Sequence, residues 1–507
     1  MIEREIKLSA AAGMTMPDLA AAAPGIRVGS PSVLQLDAVY FDTPSLALAR
    51  WGATLRSRSG EPGAVWTLKL PVAVDGSQLL RHECTFDEPV GPIPVAAHLA
   101  ARGYARSQAL GPVVRLHTER VTFDLEIDGR PLATICDDTV VAEGGVDTVS
   151  TFREIEVELA QTTGVPAQKD LDALDAVVKS LRNAGCSADD VPIAKALRAL
   201  GSRAVDPPDV TIPEIGKHAT IETVVRHTIA RSVTQIIGRH ACICAGNDSE
   251  ALHQFRVAAR RLRSDLRTFL PLLDAHWTNW LREELSWLAG EVGIGRDADV
   301  LSERLRAQLA RLPDRDAKSV DDLVERLSAT TSEAFAHVLT TLSGDRYLEL
   351  LDALVDGARN PRFAAESPEV ALRAARPNLI ALVRKPWRRL NRAVDALTPD
   401  AHETALHAIR ILCKRARYAA DAVVPLYGRP ARRFGSAMAE VQTVLGSYQD
   451  TTVAEAWLRD AARAVPSTRL VAGELIGFER DDRSRLRAEF AVVWKKASRR
   501  KLRKWMK

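Results

Sequence analysis

Two periodicities share the 507-residue chain. In its first part apolar and polar residues alternate, the period of half-buried strands. Past residue 218 apolar positions recur every three or four, the period of helices. The opening run Ile2-Glu3-Arg4-Glu5-Ile6-Lys7-Leu8 puts Glu3, Glu5 and Lys7 on one strand face and Ile2, Ile6 and Leu8 mostly on the other. Residues 54–58 place Arg56 and Arg58 on one face, and residues 66–70 set Lys69 opposite apolar neighbours. Arg81 and Glu83 again share a face, and from Val121 to Asp128 apolar residues are odd-numbered and polar ones even-numbered. Asp128-Gly129 reads as a tight hairpin turn into residues 132–137. Residues 154–159 line up Glu154, Glu156 and Glu158, a row whose mutual repulsion calls for cations nearby. Strands with one charged and one apolar face, carrying both charge signs, describe a barrel with a polar lumen.

The second part predicts helices over residues 219–245, 250–270, 276–292, 297–311, 403–424, 431–447 and 470–498, an all-α unit holding seven of the nine Trp. It also repeats itself. Residues 251–263 align with 405–417 at an offset of 154, and 295–300 with 448–453 at 153, so a unit of about 250–301 recurs at about 404–454. His253, Arg256, Arg260, Arg263 and Arg267 are spaced by three and four and stack on one helix face; His407, Arg410, Lys414 and Arg417 copy the spacing. Such a row is either a basic solvated face or a track for a linear polyanion. The second copy favours the track.

Charge sharpens the division. Residues 1–203 hold 20 Lys+Arg against 26 Asp+Glu, and the rest 49 against 39, so net charges of −6 and +10 hide inside the overall +4. Residues 205–216 carry three prolines, which places a linker at 204–217 between units of 1–203 and 218–507. The basic half implies a polyanionic partner: nucleic acid, phosphate polymer or membrane surface. Nothing matches a recognition helix, zinc finger or RNA-recognition motif, so nucleic acid is disfavoured. Gly293-Ile294-Gly295-Arg296-Asp297 lacks the Lys-Ser/Thr of a P-loop and reads as an interhelical turn, with Asp297 and Asp450 capping the helices that follow. Arg384, Lys385, Arg388, Arg389 and Arg392 either extend the anion surface or are solvated, and the basic residues 495–507 read as a solvated tail. Six scattered cysteines form no ligand or disulfide framework, no apolar run approaches a membrane span, and the charged start is no signal peptide. A cytoplasmic protein is expected.

Residues 1–203 resemble the CYTH domains of the triphosphate tunnel metalloenzymes, through the Glu-x-Glu-x-Lys opening at Glu3, Glu5 and Lys7 and the ordered series that follows it. The resemblance implies an eight-stranded antiparallel barrel around a tunnel wide enough for a triphosphate. It implies Mg²⁺ or Mn²⁺ held by Glu3, Glu5, Asp137, Glu154, Glu156 and Glu158, and phosphate bound by Lys7, Arg56, Arg58, Lys69, Arg120 and Lys195. Catalysis would involve Glu3, Glu5, Lys7, Glu156 and Glu158, with Glu83 either anchoring a cation or touching metal. Inorganic tripolyphosphate is the favoured substrate. Nucleoside or thiamine triphosphates, adenylate cyclisation and an inactive scaffold remain alternatives. Residues 218–507 resemble the CHAD domain, which implies inorganic polyphosphate binding, with possible association with polyphosphate granules, through His253, Arg256, Arg260, Arg263, His407, Arg410, Lys414 and Arg417. If the histidines bind as imidazolium, affinity should rise as pH falls through about 6.5.

Overall fold

The structure, a computed structural model, describes residues 2–61, 63, 65–75, 78–144, 149–160, 167–187, 194–246, 248–312, 317–364, 368–398 and 401–506. Of residues 2–5, 72–75, 78–81, 317 and 368 it describes the backbone alone. The chain divides into two compact units, the first made of Met1–Asp209 and Cys244–Gly246.

The first unit is one antiparallel sheet of nine strands: β1 (Ile2–Ala10), β2 (Ile26–Val28), β3 (Ser32–Asp42), β4 (Thr54–Ser59), β5 (Trp66–Asp75), β6 (Gln78–Phe86), β7 (Gly111–Ile127), β8 (Arg130–Glu143) and β9 (Val149–Leu159). Eight of them pair in the ring β7-β3-β4-β5-β6-β1-β9-β8, which the β7–β8 pairing closes; β2 only extends β7. The eight-stranded antiparallel expectation matches this topology. Helices α1 (Ala47–Arg50), α2 (Val95–Ala105), α3 (Gln168–Asn183) and α4 (Lys195–Leu200) complete the unit.

Burial explains which strand face does what. On the outer face Leu8, Ile135, Ile155 and Val157 are buried with Ala173, Leu174, Val177 and Leu181 of α3. On the inner face, toward one end, Val140, Ala142 and Leu116 are buried with Ala196, Leu197 and Leu200 of α4. Thus α4 stoppers one end of the barrel with apolar side chains while delivering Lys195, its first residue, into the charged part of the lumen. The side chains named on each face are a tenth exposed or less, so each face is a sealed layer that water does not wet.

The second unit is helical: α5 (Ile221–Ala245), α6 (Ser249–Phe269), α7 (Ala275–Leu309), α8 (Ala317–Ser343), α9 (Asp345–Arg359), α10 (Pro368–Ala371), α11 (Ala375–Asp395), α12 (Glu403–Ala422), α13 (Val424–Tyr427), α14 (Arg429–Ala464) and α15 (Arg469–Ala497). Equivalent elements of the repeat meet, α6 against α12 and α7 against α14, the arrangement expected of a duplicated unit folded about a pseudo-twofold axis. Within each copy the basic helix packs on the long helix that follows.

Two expectations are corrected here. The turn expected at residues 293–297 does not exist, because α7 runs unbroken through it, and Asp297 and Asp450 lie inside α7 and α14 rather than capping them. The glycines there serve close approach. A Cβ at Gly295 would lie 2.9 Å from Val338 and 3.1 Å from Leu252. The C-terminal residues are not a solvated tail either: Arg500–Met506 form a 3-10 helix, with Met506 buried.

Candidate functional sites

Strand register builds the first site. Antiparallel partners directly opposite one another share a sheet face. Glu5 lies opposite Glu158, Lys7 opposite Glu156 and Ser9 opposite Glu154. Asp138 lies opposite both Glu154 and Arg120, Arg56 opposite Tyr40, and Lys69 opposite both Thr54 and Glu83. These pairs bring alternate positions of distant strands into one lumen, a cavity of about 210 Å³. All six expected phosphate-binding cations line it: Lys7, Arg56, Arg58, Lys69, Arg120 and Lys195. So do Glu61, Glu83, Glu156 and Glu158, leaving an excess of two positive charges from these side chains (six against four).

Beneath the cations lies a buried acidic floor. Asp138 and Glu154 are fully buried and Glu156 nearly so. Lys195 Nζ reaches Asp138 at 2.5 Å, Glu156 at 2.8 Å and Glu154 at 3.6 Å. Arg120 donates two parallel bonds to Asp138, of 2.8 and 2.7 Å, and one to Glu156 of 2.8 Å. Lys7 Nζ donates to Glu154 at 3.1 Å and also to Glu156. Arg198 adds a fourth cation, 3.5 Å from Glu154. Burial alone would raise the Glu156 carboxyl, but the charges of Lys195, Lys7 and Arg120 hold it well below the usual carboxylate range. Burial and the like charge of Arg56 pull the Arg58 guanidinium down to about 10. A dry, cation-rich wall of this kind favours a dense anion, which would relieve the repulsion between Arg56, Arg58 and Arg120.

Several expected ligands sit elsewhere. Asp137, expected to hold metal, is on the outer face with Ile155. There Arg153 clamps it with bonds of 2.8 and 2.7 Å. Its neighbour Asp138 is the lumen residue, and sequence reasoning missed it. Glu154 is on the lumen face but belongs to the floor beneath the lysines. Glu83 pairs with Lys69 at 3.9 Å, which favours its cation-anchoring alternative. The Glu3 and Glu5 side chains lie outside the described residues. Among the described residues no group of three or more His, Cys, Asp or Glu is placed to hold a metal ion. What the wall offers is Glu158, with the Glu5 position facing it in register. This all-oxygen donor chemistry suits a hard divalent cation.

The second site forms where α6 and α12 meet. Arg256 and Arg260 of one copy and Arg410 and Lys414 of the other lie in one another's fields. The duplication also matches details. The Arg256 guanidinium lies over Gly293, 3.3 Å from where a Cβ would stand, and the Arg410 guanidinium over Gly446 at 3.5 Å. An alanine at Gly293 would crowd the Arg256 guanidinium by a few tenths of an ångström, whereas one at Gly446 would stand in ordinary contact with Arg410. Arg256 also pairs with Asp297 at 2.5 Å, and Asp450 acts on Arg410 and Lys414. These two aspartates and two glycines were missed as site residues, although both pairs recur at the repeat offset of 153.

The rest of the expected row fans out. Arg263 donates to Ser286 at 2.6 Å. Arg417 donates to Gln442 at 3.2 Å and sits 3.6 Å from Asp421. His407 is exposed beside Gln449, and burial together with Arg296 pushes His253 below the usual imidazole value. The more telling group is Lys414, pulled down to about 7 by burial and by Arg410, Arg260 and Arg256. A bound polyanion favours its charged form, so binding should take up a proton above pH 7. Affinity should therefore be flat below about pH 7 and fall by up to about tenfold per pH unit above it. Lys414→Arg, charged throughout, should flatten the profile when dissociation constants are compared from about pH 6 to about pH 9. Identical profiles would remove Lys414 from the site.

Comparison with known proteins agrees with both halves. Residues 1–176 match the CYTH domain family and residues 227–459 the CHAD domain family. Uncharacterized protein MT2285 of Mycobacterium tuberculosis (strain CDC 1551 / Oshkosh) is 31% identical over 477 residues, spanning 91% of this chain and 89% of that one. PptA from Streptomyces chartreusis aligns at 24% identity and a TM-score of 0.46, covering 55% of this chain and 100% of that one. The CHAD domain from the plant Ricinus communis aligns at 23% and 0.47, covering 57% and 95%. Among the described residues no helix is long and apolar enough to cross a membrane. The chain thus belongs to the proteins that join an N-terminal CYTH domain to a C-terminal CHAD domain.

Proposed function

We propose that the barrel hydrolyses triphosphates with the help of Mg²⁺ or Mn²⁺, inorganic tripolyphosphate being the preferred substrate, and that the helical domain binds inorganic polyphosphate without catalysis. The observation that carries the first part is the convergence of Lys7, Arg56, Arg58, Lys69, Arg120 and Lys195 on one cavity. Arg56, Arg58 and Arg120 offer planar forks to phosphate oxygens, and Lys7, Lys69 and Lys195 offer point charges. Lys7, Arg120 and Lys195 are held by the acidic floor, Arg58 by Glu61 and Lys69 by Glu83, so these groups are positioned before substrate arrives and stabilise charge spreading over the transferred phosphoryl group with little reorganisation. Glu3, Glu5 and Glu158, with Glu156 beside them, would hold the metal, which when bound supplies charge neutralisation and a bound water of lowered pKa. Tyr40, buried in the wall, accepts a hydrogen bond from Arg56 at 3.5 Å. The one aromatic side chain among the described lumen residues, Tyr40, is buried and bonded to Arg56 through its hydroxyl, which supports inorganic over nucleoside triphosphate.

For the helical domain, the clustering of Arg256, Arg260, Arg410 and Lys414, with Asp297 and Asp450 beside them, supports a polyphosphate ligand. The six cysteines, all buried, support a reducing, cytoplasmic setting. A side-by-side assay tests the substrate reading: phosphate release from tripolyphosphate, ATP and thiamine triphosphate with Mg²⁺ or Mn²⁺, alongside a measurement of cyclic AMP. Tripolyphosphate should turn over fastest. Cyclic AMP as the main product from ATP would overturn the hydrolase assignment.

A further inference from the structure

The two ends of the central cluster are not alike. At one end, burial and the neighbouring Arg267, Arg389, Arg263 and Arg282 pull Arg415 down to about 10. At the pseudo-twofold-related end, the equivalent of Arg267 is Asp421, at the repeat offset of 154. Asp421 sits among Arg261, Arg417 and Arg231, and the fully buried Asp265 joins two of them, Arg261 and Arg231. That end carries two carboxyl groups among its arginines, whereas the strongest neighbours of Arg415 at the other are all cations.

From the Arg415 end the cations continue. Arg389 lines a groove with Lys385 and Arg392. Arg392 lines the next with Arg388 and Arg503. Arg388 and Arg503 line a third with Arg384, Arg500 and Lys504. Each groove shares a residue with its neighbour, and among the described residues no carboxylate side chain lines any of the three. The last depends on the folded C-terminus: Arg503 lies 4.6 Å over the Trp387 ring, and Arg384 donates to the Met506 carbonyl. The rings nearby are spoken for. Trp387 stacks on Trp494 at 5.7 Å, and Trp505 packs on Tyr427 and Phe434 at 5.2 and 6.4 Å. With no free ring to stack a base, the track suits a bare phosphate chain better than a nucleic acid.

We propose that α11 and the C-terminal 3-10 helix form a second polyphosphate-binding segment, over which a long chain leaves the central cluster in one direction only. The inference rests on the polyphosphate reading of that cluster. From Arg256 to Arg267 the row covers about 16 Å of helix, and residues 385–392 add about 10 Å. Only a long chain can occupy both, so the segment confers a preference for length.

The full chain with Arg388→Glu, Arg392→Glu and Lys504→Glu tests it, all three residues being exposed. Dissociation constants for long polyphosphate and for tripolyphosphate would be measured across a salt series, with circular dichroism reporting the fold. Long-chain binding should weaken at least tenfold and its salt slope should drop by about two, while tripolyphosphate binding stays unchanged. The corresponding triple Gln variant should show a smaller loss in the same direction. Unchanged long-chain affinity in a folded variant overturns the proposal, and so does an equal loss for both ligands. A single-stranded oligonucleotide that competes as strongly as polyphosphate of equal charge, and loses as much in the variant, would assign the segment to nucleic acid instead. Failure of the parent reading shows separately, as retention of both ligands by Arg256→Glu/Arg410→Glu.

Discussion

Arg256→Glu combined with Arg410→Glu should weaken polyphosphate binding by two or more orders of magnitude (roughly) and leave tripolyphosphate hydrolysis nearly intact. The two guanidiniums sit in one another's fields, each laid over a glycine of its own copy. Reversal removes two contacts and adds two anions where Asp297 and Asp450 already stand. It also relieves Lys414, whose amine should then rise from about 7 toward the ordinary lysine range. The pH dependence above pH 7 should shrink accordingly. Isothermal calorimetry in two buffers of different ionisation enthalpy would read affinity and proton uptake together. Normal binding by the double variant would make the row an ordinary solvated face.

The second large effect concerns Lys195. It touches Asp138 and Glu156 directly and Glu154 at 3.6 Å, with its side chain only 11% exposed. Removing one partner of a buried ion pair typically costs about 3–5 kcal/mol. Here Lys7, Arg120 and Arg198 would still face the three carboxylates, so Lys195→Met, which keeps the aliphatic stem, should cost near the lower end, about 3 kcal/mol. It also removes one phosphate contact, and kcat/KM for tripolyphosphate should fall by about a hundredfold. The sign with pH follows from Glu156, whose carboxyl is held low by its cations. A depressed carboxyl contributes stability that is present above its unfolded value and lost as pH falls through the folded one. The wild-type protein should therefore resist mild acid better than Lys195→Met. Denaturant melts at neutral and acid pH check both statements, and equal acid sensitivity would mean that Lys195 does not hold Glu156 ionised.

Much of this was written in the sequence because a lumen filters strands by parity. Where one strand face is apolar and the other charged, as at Arg56/Arg58, Lys69 and Glu154/Glu156/Glu158, alternation identifies the inward face without knowledge of the partner strand. The method failed on β8. There both faces are covered, the outer by α3 and the inner by α4, so apolar residues fill both parities and Asp137 could not be told from Asp138. In the helical half, Gly293 and Gly295 looked like a turn because glycine weakens helices, yet Gly293 lies close under Arg256 and a Cβ at Gly295 would crowd Val338 and Leu252. Residues 500–506 looked solvated because their charge outweighs their few apolar side chains. Their anchor, the Trp387, Phe434 and Tyr427 cluster, comes from three separate elements that no local window contains.

The central claim, a metal-assisted triphosphatase in the barrel, is tested most directly at β1. Phosphate release from tripolyphosphate would be followed in the full chain, with Mg²⁺ and then with chelator, for the wild type and for Glu5→Gln. Its register position opposite Glu158 makes Glu5 the change that removes one carboxylate and leaves all six lumen cations in place. The account predicts metal-dependent turnover in the wild type and its abolition in Glu5→Gln, with polyphosphate binding unaffected. Unchanged turnover in Glu5→Gln would contradict it.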